Sequence, residues 1–127
     1  MPLIQRPLDG PGDLLRLQRH RPSRYPLLLQ SVADGNAQSR WDMLLMTDGE
    51  GLQLSRGETR DLSGQAIDLP FLDALDTRFA ACRSEHRHDL PFSGGWALYL
   101  GYELAGQVEP SLRLPGFDGP LPDALAL

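Results

Sequence analysis

Between Trp41 and Arg56 the chain runs apolar, then turn, then alternating, and no other stretch limits its fold as strongly. Trp41 to Thr47 is apolar-rich, Asp48 to Gly51 supplies residues tolerant of positive φ, and Leu52 to Arg56 alternates apolar with polar. That succession predicts a β-hairpin turning on 48–51.

The remaining elements are read around it. Asp13 to His20 offers Leu14, Leu15 and Leu17 to one side, a short helix stopped by Pro22. Tyr25 to Val32 holds the run Leu27 to Leu29 and predicts a buried strand. Asp68 is placed to cap a helix whose first turn tolerates Pro70. Phe71, Leu72, Leu75, Phe79 and Cys82 then recur at near-helical spacing, an apolar stripe through about Arg83. Trp96 to Leu104 follows a glycine pair and reads as a strand. From Gln107 prolines and glycines dominate, with the start of one more strand in LPDALAL at 121–127. The order predicts an α+β fold, a mostly antiparallel sheet with a few short helices, because crossover helices are too few for a doubly wound sheet.

Composition narrows the function classes. A chain of 127 residues spans one domain or a substantial part of one, and buries a core without a metal or disulfide staple. The single cysteine, Cys82, excludes an internal disulfide and suits a reducing compartment. MPLIQRPLDG at the start lacks the pattern of a secretory signal, and no stretch has the length of a membrane span. A cytoplasmic location, away from membranes, is the expectation. The net charge of −5 argues against a nucleic-acid partner. Arg16, Arg19, Arg21 and Arg24 form a local basic run, read as a solvated helix end near C-terminal carbonyls. The sequence contains no lysine, so these residues perform no Schiff-base or lysine-nucleophile chemistry.

A search for reactive groupings leaves little. His86 and His88, around Arg87, have no Cys or His cluster to complete a metal site and read as a polar loop. Cys82, on the apolar stripe, reads as buried and inert. Gly94 and Gly95 lack both the third glycine of a dinucleotide fingerprint and the ending of a phosphate loop. Paired glycines there suggest positive φ or close backbone approach. No Ser/His/Asp arrangement stands out. Glu103 follows an almost wholly apolar run; either an arginine such as Arg40 partners it, or it is a surface glutamate at a strand exit.

PFSGGWALYLGYEL, with Pro91, Phe92, Gly94, Gly95, Gly101, Tyr102 and Glu103, resembles a motif of the anthranilate synthase component I family, which includes aminodeoxychorismate synthase component I. The family's Pro-Phe-x-Gly-Gly segment leads through an apolar strand into Gly-Tyr-Glu/Asp. Ser31, Ser39, Arg40, Trp41 and Asp42 resemble its strand ending in serine and the Ser-Arg-aromatic-Asp sequence after it. LPDALAL resembles its Leu-Pro-Asp entry to a later strand. The three likenesses run in order from about Leu27 to Leu127. Leu98 departs from the pattern, since members often carry glycine there. Gln30 stands where the anthranilate branch commonly has glutamate, which favours the aminodeoxychorismate branch.

The resemblance implies the non-catalytic N-terminal portion of a larger chorismate-using synthase. The complete enzyme aminates chorismate with Mg²⁺ and with ammonia from a glutamine amidotransferase subunit, on the way to p-aminobenzoate and folate. The family's catalytic motifs lie later than these residues, so no catalytic or metal residue is expected here, and the 127 residues alone are expected to be inactive. The resemblance also implies part of a tryptophan pocket at Ser31, Gln38, Ser39, Arg40 and Trp41. A hydroxyl, backbone groups and a guanidinium there address a zwitterion, and an indole supplies a wall. The alternatives are the anthranilate branch, of tryptophan biosynthesis, and a stand-alone amino-acid-binding module.

Overall fold

The computed structural model describes residues 4–10, 12–32, 35, 37, 40–83, 85, 89–116 and 118–127. Its elements are α1 (Leu14–His20), β1 (Leu27–Leu29), β2 (Met43–Leu45), β3 (Leu52–Ser55), β4 (Glu58–Asp61), α2 (Phe71–Cys82), β5 (Leu98–Leu100), a 3₁₀ turn (Tyr102–Leu104), α3 (Ala105–Val108) and β6 (Ala124–Ala126). The fold is α+β, with three helices and two antiparallel sheets of two and four strands. Two compact units result: Met1–Asp48 with Asp89–Ser93, and Gly49–His88 with Gly94–Leu127.

In the first unit, the Asp13 carboxylate accepts the Arg16 N–H at 2.9 Å and starts α1. Arg19 and His20 lie in its last turn, where positive charge meets free carbonyls. This helix lies against β1 and β2, which pair in the register Leu27↔Leu45, Leu28↔Leu44 and Leu29↔Met43. The expected buried strand is shorter than Tyr25–Val32 and is not buried: Leu27 and Leu28 are half-buried and Leu29 is exposed. A two-stranded ribbon under one short helix covers only part of its apolar surface.

The hairpin expected at 48–51 does not form. Residues on its two sides belong to different sheets, β2 with β1 and β3 with β4 and β6. The reason is valence. β3 is a central strand whose two edges are taken, by β4 through Leu54↔Thr59 and by β6 through Leu54↔Ala124, so no edge remains for β2. The hairpin instead turns at Arg56 and Gly57, both with positive φ (54° and 77°), the geometry of a tight primed turn. Gly51 serves another purpose: a Cβ there would meet the Ala126 carbonyl oxygen and, at 2.7 Å, Leu62 Cδ1.

Among the described residues the buried core lies in this second unit. Alternation along β3 and β6 turns Leu52, Leu54, Ala124 and Ala126 to one face, where Phe71 and Ala74 of α2 and Leu104 join them. Phe71 and Leu52 are fully enclosed, and full burial of side chains of this size contributes about 2–3 kcal/mol each. The small side chains at 124 and 126 leave depth for the Phe71 ring. Asp68 does not cap α2; Pro70 stands at the N-cap with no side-chain bond to the helix, so Asp68 lies two positions too early. Cys82 is exposed rather than buried. The buried part of the α2 stripe ends at Ala74, and Phe79, one turn before Cys82, is already half exposed.

Beyond β4, the Asp61 carboxylate organises the chain reversal. It accepts the Ser63 hydroxyl at 2.6 Å and the N–H groups of Ser63 and Gln65 at 2.9 Å. The Ser63 hydroxyl, the Gln65 and Ser63 amides and the nearby Arg78 hold its carboxyl below the ordinary value.

Candidate functional site

The first candidate segment joins β1 to β2. Continuing the β1–β2 register would set Ser31 opposite Trp41, but the ladder ends at Leu29 and Met43. The Ser31 N–H instead donates to Asp42 Oδ1 at 2.9 Å, a bond joining residues eleven positions apart. A carboxylate thus stands in for the backbone acceptor a further rung would supply, and it ties the two ends of the loop together.

Four of the described groups therefore gather at one end of the ribbon: Ser31, Arg40, Trp41 and Asp42. The Arg40 guanidinium lies over the Trp41 ring at 5.6 Å from its centroid. At an exposed site such a cation–π contact contributes about 0.5–1 kcal/mol, enough to bias the arginine toward the indole without binding its N–H donors. Trp41 keeps 41% of its surface exposed. The chemistry on offer is a flat apolar wall, a guanidinium able to take a carboxylate side-on, and a serine hydroxyl. Gln38 and Ser39, also expected in the pocket, lie outside the described residues. Asp42 was not among the expected site residues. Its signal was its place directly after Trp41 at the strand entry, where a carboxylate is available to a neighbouring strand's N–H.

The Pro91–Glu103 segment is divided: Pro91–Ser93 belongs to the first unit and Gly94–Glu103 to the second. Trp96 to Leu104 is not one strand: β5 covers Leu98–Leu100 and the chain then turns in 3₁₀ form at Tyr102–Leu104. Gly94 has φ of 138°, as the glycine pair suggested. β5 pairs with β6 through Leu98↔Ala126, Tyr99↔Leu125 and Leu100↔Ala124. Just past β5 the Gly101 N–H donates to the Asp123 carbonyl at 2.8 Å. A Cβ at Gly101 would stand 2.8 Å from that same oxygen and 2.7 Å from Glu103 Oε2, so this position admits glycine alone without a backbone shift. Glu103 is thus turned back on Gly101, and it is half-buried. Arg40, the partner considered for it, belongs to the first unit and lies over Trp41.

An apolar groove of about 400 Å³ runs between α2 and β5, walled by Leu72, Leu75, Phe79, Trp96 and Leu98, with Asp76 at its side. Leu98 is half exposed on this wall. Among the described residues no group of three or more His, Cys, Asp or Glu comes together, and no helix is long and apolar enough to cross a membrane. His86 and His88 lie outside the described residues. No family model matches the chain, and no curated protein matches it.

Proposed function

We propose that this chain is the N-terminal, non-catalytic region of an aminodeoxychorismate synthase component I. The complete enzyme would aminate chorismate to 4-amino-4-deoxychorismate, using Mg²⁺ and ammonia from a glutamine amidotransferase subunit, for p-aminobenzoate and folate synthesis. The segment 31–42 would contribute Ser31, Gln38, Ser39, Arg40 and Trp41 to a tryptophan pocket. Gln30 favours this branch over the anthranilate one.

One observation carries the reading. The family-like segments at Pro91–Glu103 and 121–127, separated in sequence, meet as neighbouring strands, and the glycine of Gly-Tyr-Glu packs on the carbonyl of the aspartate in Leu-Pro-Asp. The glycine of that likeness, Gly101, thus has a physical reason to be glycine. The described residues gather no ligand set for Mg²⁺, and no reaction step is assigned to them.

The pocket is tested in the complete enzyme by calorimetric titration with tryptophan. Arg40→Ala removes a charge-assisted contact to the ligand carboxylate and is expected to weaken binding about tenfold. Unchanged affinity removes Arg40 from the pocket. The 127-residue chain, supplied with chorismate, Mg²⁺ and ammonium, is expected to form no product; turnover would overturn the assignment of catalysis to later residues.

A further inference from the structure

We infer that Asp42 is the positioning residue of the 31–42 loop, holding Ser31 against the Arg40–Trp41 pair so that the three present one surface to an amino-acid zwitterion. The inference rests on reading this loop as the ligand-binding segment. Its basis is the way the β1–β2 ladder stops. Leu29↔Met43 is the last pair, and the next N–H that continued pairing would use, that of Ser31, is bonded to the Asp42 side chain instead.

Two consequences follow from that substitution. Because a side chain supplies the acceptor, the strands part beyond Leu29 without leaving the Ser31 amide unpaired. Trp41 stands outside β2, so its backbone is not committed to a ladder with Ser31. Asp42 acts through Ser31 and needs no contact with the ligand.

The experiment compares Asp42→Ala, Asp42→Asn and Arg40→Ala with the wild type. Tryptophan affinity is read in the complete enzyme, and hydrogen exchange of the Ser31 amide is read by NMR in the 127-residue chain. Asp42→Ala is expected to weaken tryptophan binding about fivefold and to speed Ser31 exchange by about as much. Asp42→Asn keeps an oxygen acceptor and is expected to stay within about twofold of wild type on both readouts. The inference is overturned if Asp42→Ala leaves affinity unchanged while Arg40→Ala weakens it; the pocket reading then survives. It is also overturned if Asp42→Asn is as damaging as Asp42→Ala, because charge rather than the Ser31 bond would then be at work. Absence of tryptophan binding by the wild-type enzyme overturns the pocket reading itself, and with it any positioning role. Normal Ser31 exchange in Asp42→Ala rejects the clamp whatever the binding result.

Discussion

The chain contains two antiparallel strand pairs of similar size that behave differently. β1–β2 has three residue pairs, a long connection and, among the described residues of its unit, no buried side chain. β3–β4 has four pairs, turns tightly at Arg56 and Gly57, and lies in a sheet whose inner face joins α2 and Leu104 in the buried core of the described residues. Pairing alone therefore does not make a core here. What separates the units is a third and fourth strand and a helix long enough to cover them. The candidate binding loop lies on the ribbon with the looser support, where a side-chain bond such as Ser31 to Asp42 has most to do.

The contrast is broken or sharpened first by truncation. Phe71→Ala opens a void in the enclosed core and is expected to cost about 3–5 kcal/mol in urea unfolding. Leu28→Ala, on the half-buried ribbon, is expected to cost about 1 kcal/mol. Equal costs would mean that the ribbon carries a core of its own. Gly101→Ala comes next, at about 1–3 kcal/mol, since its Cβ would press on the Asp123 carbonyl and the β5–β6 pair would have to shift. A neutral result would show that this strand end yields readily.

Arg56→Asn has the opposite sign. An arginine at φ of 54° is held in the left-handed region, and asparagine there should raise stability by about 0.5–1 kcal/mol, seen as a higher urea midpoint. The smallest effect concerns pH. Because folding lowers the Asp61 carboxyl below its ordinary value, its contribution is present above that value and is lost as pH falls through the folded one. Asp61→Asn should flatten the acid limb of the stability curve and leave it unchanged in shape near neutrality. An unaltered acid limb would assign that limb to other carboxylates.

Where local chemistry decided, the reading of the chain agreed with the structure. Leu14–His20 is a helix because Asp13 caps it and leucines share a side. Phe71–Cys82 is a helix because its apolar spacing is helical and Pro70 stands before its first turn. The glycine pair at 94 and 95 adopts positive φ, and Ala124–Ala126 is a strand. Ser31 and the Arg40–Trp41 pair stand at the two ends of one connection, between β1 and β2. Asp42 was harder to assign, since a carboxylate after an aromatic residue has no sequence mark that shows which N–H it will accept.

The hairpin shows the limit most clearly. Asp48 to Gly51 has turn chemistry and apolar flanks, whereas Arg56 and Gly57 lack the asparagine or aspartate that announces a primed turn, yet the chain turns at the second site. The choice was made by β6, more than sixty residues later, roughly the span from Leu54 to Ala124, which takes the other edge of β3. Cys82 likewise has helical spacing, yet it is exposed. Sequence by itself determined that 14–20 and 71–82 are helical and which glycines bend, because each depends on residues a few positions apart. Only the tertiary structure decided strand partners, which end of the α2 stripe is covered and which glycine is crowded. Those outcomes depend on which distant backbone occupies a shared edge or face.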